Sequence, residues 1–146
     1  MANFFIVNVE AAIYHEGNYL IIRRSEKEEH AGGLYSLVGG KVDFDESSLS
    51  VLEENIKREV LEEIGIELSG ELKYVHSTTF RVEDVQVLDI VFLSTDFVGT
   101  PYIKSTEEIS EIKWMSFEEI QASEKIPPWT KKSIEMTDKL LGKVMS

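Results

Sequence analysis

The chain contains no cysteine. That excludes disulfides and thiolate metal sites, and it fits a reducing compartment. Proline is scarce, at positions 101, 127 and 128 only. No Pro-, Gly- or Ser-rich linker, repeat or low-complexity tract divides the 146 residues. That length suits one domain with a substantial core and is too short for two ordinary ones, so a single domain over residues 1–146 is expected. No apolar run approaches the roughly 20 residues that cross a bilayer. The stretch Met1-Ala2-Asn3-Phe4-Phe5-Ile6-Val7 lacks the basic region and apolar core of a signal peptide. A cytoplasmic location without membrane contact is the expectation. Positive charge is also short, with 15 Lys and Arg against 27 Asp and Glu and a formal net charge of −12. Such a surface argues against nucleic acid and anionic membranes as partners. It leaves room for a small anionic substrate that arrives with a divalent cation and meets local cations, with Arg23, Arg24, Lys27, Lys41 and Arg81 available. Solubility alone is the competing reading of the acidity. Hydrophobic residues at 42% and charged residues at 29% fit a folded globular chain.

Acid is concentrated in Arg58-Glu59-Val60-Leu61-Glu62-Glu63-Ile64-Gly65-Ile66. Spacings of three and four place Glu59, Glu62 and Glu63 on one side of a helix. Like charges so placed repel by about 0.2–0.5 kcal/mol per pair on an exposed helix. A divalent cation held by the clustered oxygens would offset that repulsion. Glu53 and Glu54 in the same helix read as an ordinary solvated face. Upstream stands Gly39-Gly40-Lys41-Val42-Asp43-Phe44-Asp45-Glu46.

Glycine turn, acid, helix, paired acids and terminating glycine together resemble the Nudix box, the signature of the Nudix hydrolases. Gly40 and Glu46 keep its first spacing, and Arg58, Glu59, Val60, Glu62, Glu63, Gly65 and Ile66 match its second half. Eleven residues separate Glu46 from Arg58, where the family usually has seven. Residue-specific matching is confined to residues 39–66. The resemblance implies a Nudix-type α/β/α sandwich with a central mixed sheet. It also implies Mg²⁺, with Mn²⁺ as a substitute, held chiefly by Glu59 and Glu63, with Glu62 in support and the Gly40 carbonyl completing the shell. Arg58 and Glu46 resemble the family's positioning pair, a guanidinium fork holding a carboxylate.

The box has no obvious general base. Relatives often supply one from a loop ahead of the last strand, and here that region offers Glu108 or Glu111, with Glu107 a weaker choice. Lys41 either reaches a phosphate or is a plain surface lysine. Arg23 and Arg24 resemble a position where relatives contact nucleotide, and an exposed strand end is the competing reading. His15, His30 and His76 share no ligand spacing and are assigned no chemistry. Trp114 is expected to pack in the core rather than stack on a base.

Element signals agree with an α/β chain. Residues 4–14 and 19–24 read as strands around a turn at 15–18, and Leu34 to Val38 as a short strand running into the glycines. A helix is expected over about 50–64, with Leu52, Ile56, Val60 and Ile64 as its apolar stripe and Gly65 as its stop. Residues 71–82 and 86–97 read as strands turning at Glu83-Asp84, and 112–115 as another. A short helix is expected at 117–122. After Pro127-Pro128, a closing helix over 129–142 is expected to turn Trp129, Ile134, Leu140 and Leu141 inward. Ser50-Val51-Leu52-Glu53 reads as a capping box that puts the four extra residues ahead of the helix. Leu49 fits the stripe, which would instead start the helix near Ser47.

The resemblance makes the expected function a Mg²⁺-dependent hydrolase of a pyrophosphate linkage in a nucleoside diphosphate joined to another moiety. The proline that marks the ADP-ribose group is absent, since none precedes Pro101. Glu83 and Asp84 stand where the dinucleoside-polyphosphate group has tyrosine, and the isomerase branch's cysteine is missing. A MutT-like enzyme on nucleoside triphosphates remains, as a monomer or homodimer. The alternatives are a non-catalytic Nudix domain that senses a nucleotide or metabolite, and an acidic metal-binding module with no nucleotide role.

Overall fold

The computed structural model describes residues 3–28 and 32–145, without the side chains of Val144 and Met145. His30 and the first two residues lie outside it, so the readings made of them go unaddressed. The elements run β1 (Ile6–His15), β2 (Asn18–Arg24), β3 (Tyr35–Ser36), β4 (Val38–Lys41), α1 (Val51–Ile64), β5 (Glu67–Ser69), β6 (Lys73–Val82), β7 (Val85–Ser94), β8 (Asp96–Val98), β9 (Ile109–Met115), α2 (Phe117–Ala122) and α3 (Pro128–Met145). Among the described residues, seven strands form one mixed sheet in the order β3-β2-β1-β7-β6, with β4 beside β1 and β9 beside β2. The β1–β7 pair is parallel and the other pairs are antiparallel. β5 and β8 form a separate ribbon.

Strand alternation sends neighbouring residues to opposite faces, and both faces are covered. Val9, Ala11 and Ile13 of β1 join Leu20 and Ile22 of β2 in a core shared with Ile56, Val60 and Ile64 of α1. Ala12, Tyr19 and Ile21 point the other way and pack with Ile120, Ile134 and Leu141 of α2 and α3. The result is helix, sheet, helix, as the sequence led us to expect. Each isoleucine of the α1 stripe is fully buried, which contributes about 1.5–3 kcal/mol.

Helix α1 starts at Val51, so the extra residues do lie ahead of it. The expected capping box does not form there: Ser50 makes no side-chain cap, and Ser48 Oγ instead meets the Glu54 carboxylate. Leu49 is 100% exposed, because the chain has not yet turned into the helix. A capping box does form at α2, between Ser116 and Glu119. The strand expected over residues 34–38 is two short ones, because Tyr35 pairs with β2 and Val38 with β1. Trp129 is another correction: it stands in the first turn of α3 with 64% of its surface exposed, while Ile134 and Leu141 are buried. Trp114 packs against the α1-side core and stacks on Phe97, 6.0 Å between ring centroids.

Candidate active site

Strand β4 brings Gly40 under α1, paired with Val9 of β1. A Cβ at position 40 would lie 2.6 Å from Glu59 Cδ, so only glycine lets the strand approach the carboxylate so closely. At the far end of α1, Gly65 closes the helix in the left-handed region at φ 69°, its N–H donating to Leu61 O at 3.1 Å. Tyr102 fills the place where a side chain at Gly65 would go. The segment after Tyr102 then docks on the helix end: the N–H groups of Tyr102, Lys104 and Ser105 donate to the carbonyls of Ile64, Glu63 and Glu63 at 3.1, 3.0 and 3.2 Å. These bonds satisfy carbonyls that a helix end leaves open. They also fix the start of residues 105–108 beside the acidic face.

Glu63 is 3% exposed, and its Oε2 has no hydrogen-bond partner. Burial pushes its carboxyl up to about 9, helped by a hydrogen bond with Glu59 and by the charges of Glu59 and Glu108, while Arg24 opposes the shift. Glu59 is raised too, by burial first. Two carboxyls in such contact titrate as a unit and retain a proton between them. A divalent cation is the natural replacement for that proton: it needs oxygen ligands, and the pair offers a partnerless oxygen next to an uncluttered glycine.

Glu62 is turned away. Its carboxylate meets Arg58 Nη1 at 3.3 Å and is largely exposed. Among the described residues, no three acids or histidines stand close enough together to hold a cation as they are. The pair that meets is Glu59 and Glu63, and the expected three-carboxylate cluster is not assembled.

Arg58 is a hub, but its partners differ from those expected. Its guanidinium reaches Asp43 Oδ2 at 2.9 Å, Asn55 Oδ1 at 2.8 Å and Glu59 Oε1 at 3.3 Å. Glu46 is not among them; it sits on an exposed turn in the lengthened stretch, beyond Asp43. Asn55 ties the arrangement together, accepting from the Asp43 N–H at 2.9 Å and donating to Val51 O at 2.8 Å. The only sequence signal for this role was an asparagine inside a helix, where such a residue is a weak helix former. Because Arg58 and Asp43 are exposed, their ion pair alone is worth only about 0–1 kcal/mol.

The other candidates divide by face. Arg24 acts electrostatically on Glu63 and pairs with Glu28 at 3.6 Å. Arg23 points elsewhere, donating to Gly33 O at 3.0 Å and lying 6.0 Å from the Tyr35 ring centre. Lys41 is exposed at the end of β4, paired with Asn8 and one residue on from Gly40, hence on the opposite face of the strand. Glu108 lies within electrostatic reach of both Glu59 and Glu63. Glu111 does not join them. It accepts from Tyr35 Oη at 2.8 Å and pairs with Lys113 at 3.2 Å, and the Tyr35 bond holds its carboxyl below the usual range. Glu107 pairs with Lys27 at 3.4 Å.

A family model described as NUDIX domain matches residues 5–139. Among solved structures, the MutT protein from Methanosarcina mazei Go1 is 33% identical, with 92% of this chain and 94% of that chain covered at a TM-score of 0.80. The MutT NUDIX hydrolase from Burkholderia pseudomallei is 24% identical over 92% of this chain and 98% of that one, with a TM-score of 0.78. The NUDIX domain of Shewanella oneidensis NrtR, complexed with ADP ribose, shares the fold at 16% identity over 96% of this chain and 90% of that one, with a TM-score of 0.76. A comparison with curated protein sequences finds no match.

Proposed function

The chain belongs to the NUDIX domain family, and from that premise we propose that this pyrophosphohydrolase uses a divalent cation, Mg²⁺ or Mn²⁺, to cleave a nucleoside triphosphate or related nucleotide. The observation that carries the reading is the Glu59–Glu63 pair, with its partnerless oxygen, packed against Gly40. Glu59 and Glu63 would hold the cation, with the Gly40 carbonyl and Glu62 in support. A cation bound there supplies charge against the phosphate oxygens and lowers the pKa of water.

The remaining work falls to this chain's own groups. Arg58, gripped by Asp43 and Asn55, fixes the helix that carries both ligands. Arg24 places positive charge beside Glu63, where a phosphate chain would lie. Glu108 takes a proton from the attacking water as the P–O–P linkage opens, and the leaving phosphate departs with the bridging oxygen. Its place on a docked loop beside the pair supports that role over Glu111, which is engaged by Tyr35 and Lys113. We read the chain as one cytoplasmic domain, a monomer or homodimer.

A sensor that binds a nucleotide without cleaving it is the second reading, since a NUDIX domain of this fold has been seen with ADP ribose. Release of phosphate or pyrophosphate across a nucleotide panel, with and without Mg²⁺, decides between them. Metal-dependent release supports the hydrolase. Tight binding with no release supports the sensor.

A further inference from the structure

Among the described residues, β6 pairs with β7 alone and β9 with β2 alone. A strand paired on one side offers its other row of N–H and C=O groups to a further strand, and proteins usually blunt such an edge with charge, proline or a bulge. Strand β9 carries Glu111 and Lys113, tied at 3.2 Å. Strand β6 is ten residues long, and its protection is confined to its first half. A register shift lies between Tyr74 and His76, and helix α3 reaches the strand at His76, whose Nε2 is 3.0 Å from Ser133 Oγ. Beyond that point Ser77, Thr78, Thr79, Phe80 and Arg81 are all exposed. They include no proline and one charge.

The hairpin settles which backbone groups are free. Val82 pairs with Val85 across a two-residue turn at Glu83-Asp84, so these two exchange both of their hydrogen bonds. Alternation then turns the N–H and C=O groups of Phe80 and Thr78 toward β7, and those of Arg81, Thr79 and Ser77 outward. The outward residues are centred on Thr79. A second β6 laid antiparallel about a twofold axis at Thr79 meets every one of them: Thr79 faces Thr79, and Ser77 faces Arg81 in both directions. Each facing pair exchanges two hydrogen bonds, about six in all. Arg81 is thereby kept from its own copy. Phe80 shares a face with His76 and is 47% exposed, and this register sets it diagonal to its counterpart, at the roughly 7–8 Å that aromatic side chains span. Exposed Val85 and Phe4 widen the patch, with Gln86 Nε2 donating to Phe4 O at 3.1 Å.

We propose that β6 is the interface of a homodimer, formed by antiparallel pairing of residues 77–81 of two copies about Thr79. A strand of another protein would satisfy the same backbone groups, but the match of the three outward residues about their own centre favours a second copy. Such pairing is independent of the chemistry at Glu59 and Glu63. Each copy carries a net charge of −12, so the two repel at long range and salt should tighten the dimer.

Sedimentation equilibrium of the full chain tests this interface. Wild type should form a reversible dimer at concentrations up to about 100 μM, with a dissociation constant that falls as NaCl rises from about 0.05 to 0.3 M. Thr79→Pro removes an outward N–H without touching the ladder to β7, and Thr79→Lys sets like charges face to face. Each should weaken dimerisation at least about tenfold in protein that stays folded by circular dichroism. The absence of cysteine allows a second measurement. With an added oxidant, Thr79→Cys should give a disulfide-linked dimer, because facing residues of a hydrogen-bonded pair lie about 5.5 Å apart, within disulfide reach. Ser110→Cys, on the exposed part of β9, should stay monomeric. A wild type that sediments as a monomer throughout, a dimer retained in full by a folded Thr79 variant, or equal cross-linking at positions 79 and 110 would overturn the assignment.

Discussion

At the scale of single residues, the site is defined by what is kept apart and what is kept close. Gly40 is the clearest case. Its missing Cβ makes room for the Glu59 carboxylate, the far end of a flexible side chain. Gly40→Ala should therefore keep the fold, with a melting temperature within a few degrees of wild type, while the carboxylate is pushed aside. Displacement of about 1 Å can cost on the order of a hundredfold in rate. Unchanged kcat in a well-folded Gly40→Ala protein would separate Gly40 from the chemistry.

Glu63 gives a second residue-scale expectation, in pH. Its folded-state carboxyl is raised from the ordinary 4.5 to about 9. A group raised on folding contributes stability that is complete below its unfolded value and lost as pH climbs through the folded one. Glu10 and Asp89 are raised as well and act with the same sign. His76 is lowered by burial, so it opposes them, but only at acid pH. Metal-free protein should thus lose thermal stability steadily between pH 7 and 9. Saturating divalent cation should flatten the decline, because it takes the deprotonated pair. Glu63→Gln should make it shallower without metal, leaving the part due to Glu10 and Asp89. A metal-free melting curve that is level over this window in the wild type would contradict the burial of the pair.

At the scale of elements, α1 is held in register by its approach segment and by its departing segment. Asp43, Asn55 and Arg58 form the first attachment. A double-mutant cycle of Asp43→Asn and Arg58→Ala, read in kcat/KM, should show coupling of about 0.5 kcal/mol or more, whereas Glu46→Gln with Arg58→Ala should be additive. Coupling to Glu46 and none to Asp43 would restore the partner implied by the Nudix resemblance. The second attachment carries Glu108. If that group takes the proton, Glu108→Gln should lower the rate by about 10²–10⁴-fold with little change in metal affinity, and Glu111→Gln should change it far less. Full turnover of Glu108→Gln across a pH series would remove the loop from the mechanism.

Much of this was legible from sequence, and the losses have physical causes. The α1 stripe, its glycine stop and the pairing of Glu59 with Glu63 follow from helical periodicity, which local sequence carries. The partner of Arg58 does not, because a lengthened connection changes which acid arrives opposite the guanidinium, and spacing counted along the chain cannot follow a loop through space. The cap at Ser50 failed because Ser48 took the nearby glutamate, a contest between two serines that composition leaves open. β5 and β8 are three residues each and exist through pairing with one another, so neither carries a period of its own. Glu10 and Asp89 were overlooked because each sits in an apolar run and only the parallel register of β1 with β7 unites them.

At the scale of the whole molecule, two faces of one sheet do different work. The α1 face holds the acid pair proposed for the metal, and the α3 face carries a second acid pair, Glu10 and the buried Asp89. Arg24 acts on both pairs. No helix among the described residues is long and apolar enough to cross a membrane. The net charge of −12 makes an anion hard to attract without a cation, which agrees with the metal use proposed above.

The most direct test of the central claim is a product assay on wild type, Glu59→Gln and Glu63→Gln with a nucleoside triphosphate panel at saturating Mg²⁺. The account predicts that wild type releases phosphate or pyrophosphate from at least one nucleotide only when the cation is present. It predicts that both variants lose turnover by at least about a hundredfold, and that they melt no lower than wild type in metal-free buffer because each removes a carboxyl whose ionisation burial opposes. Near-normal release by both folded variants, or equal release by wild type with the cation removed, would contradict it.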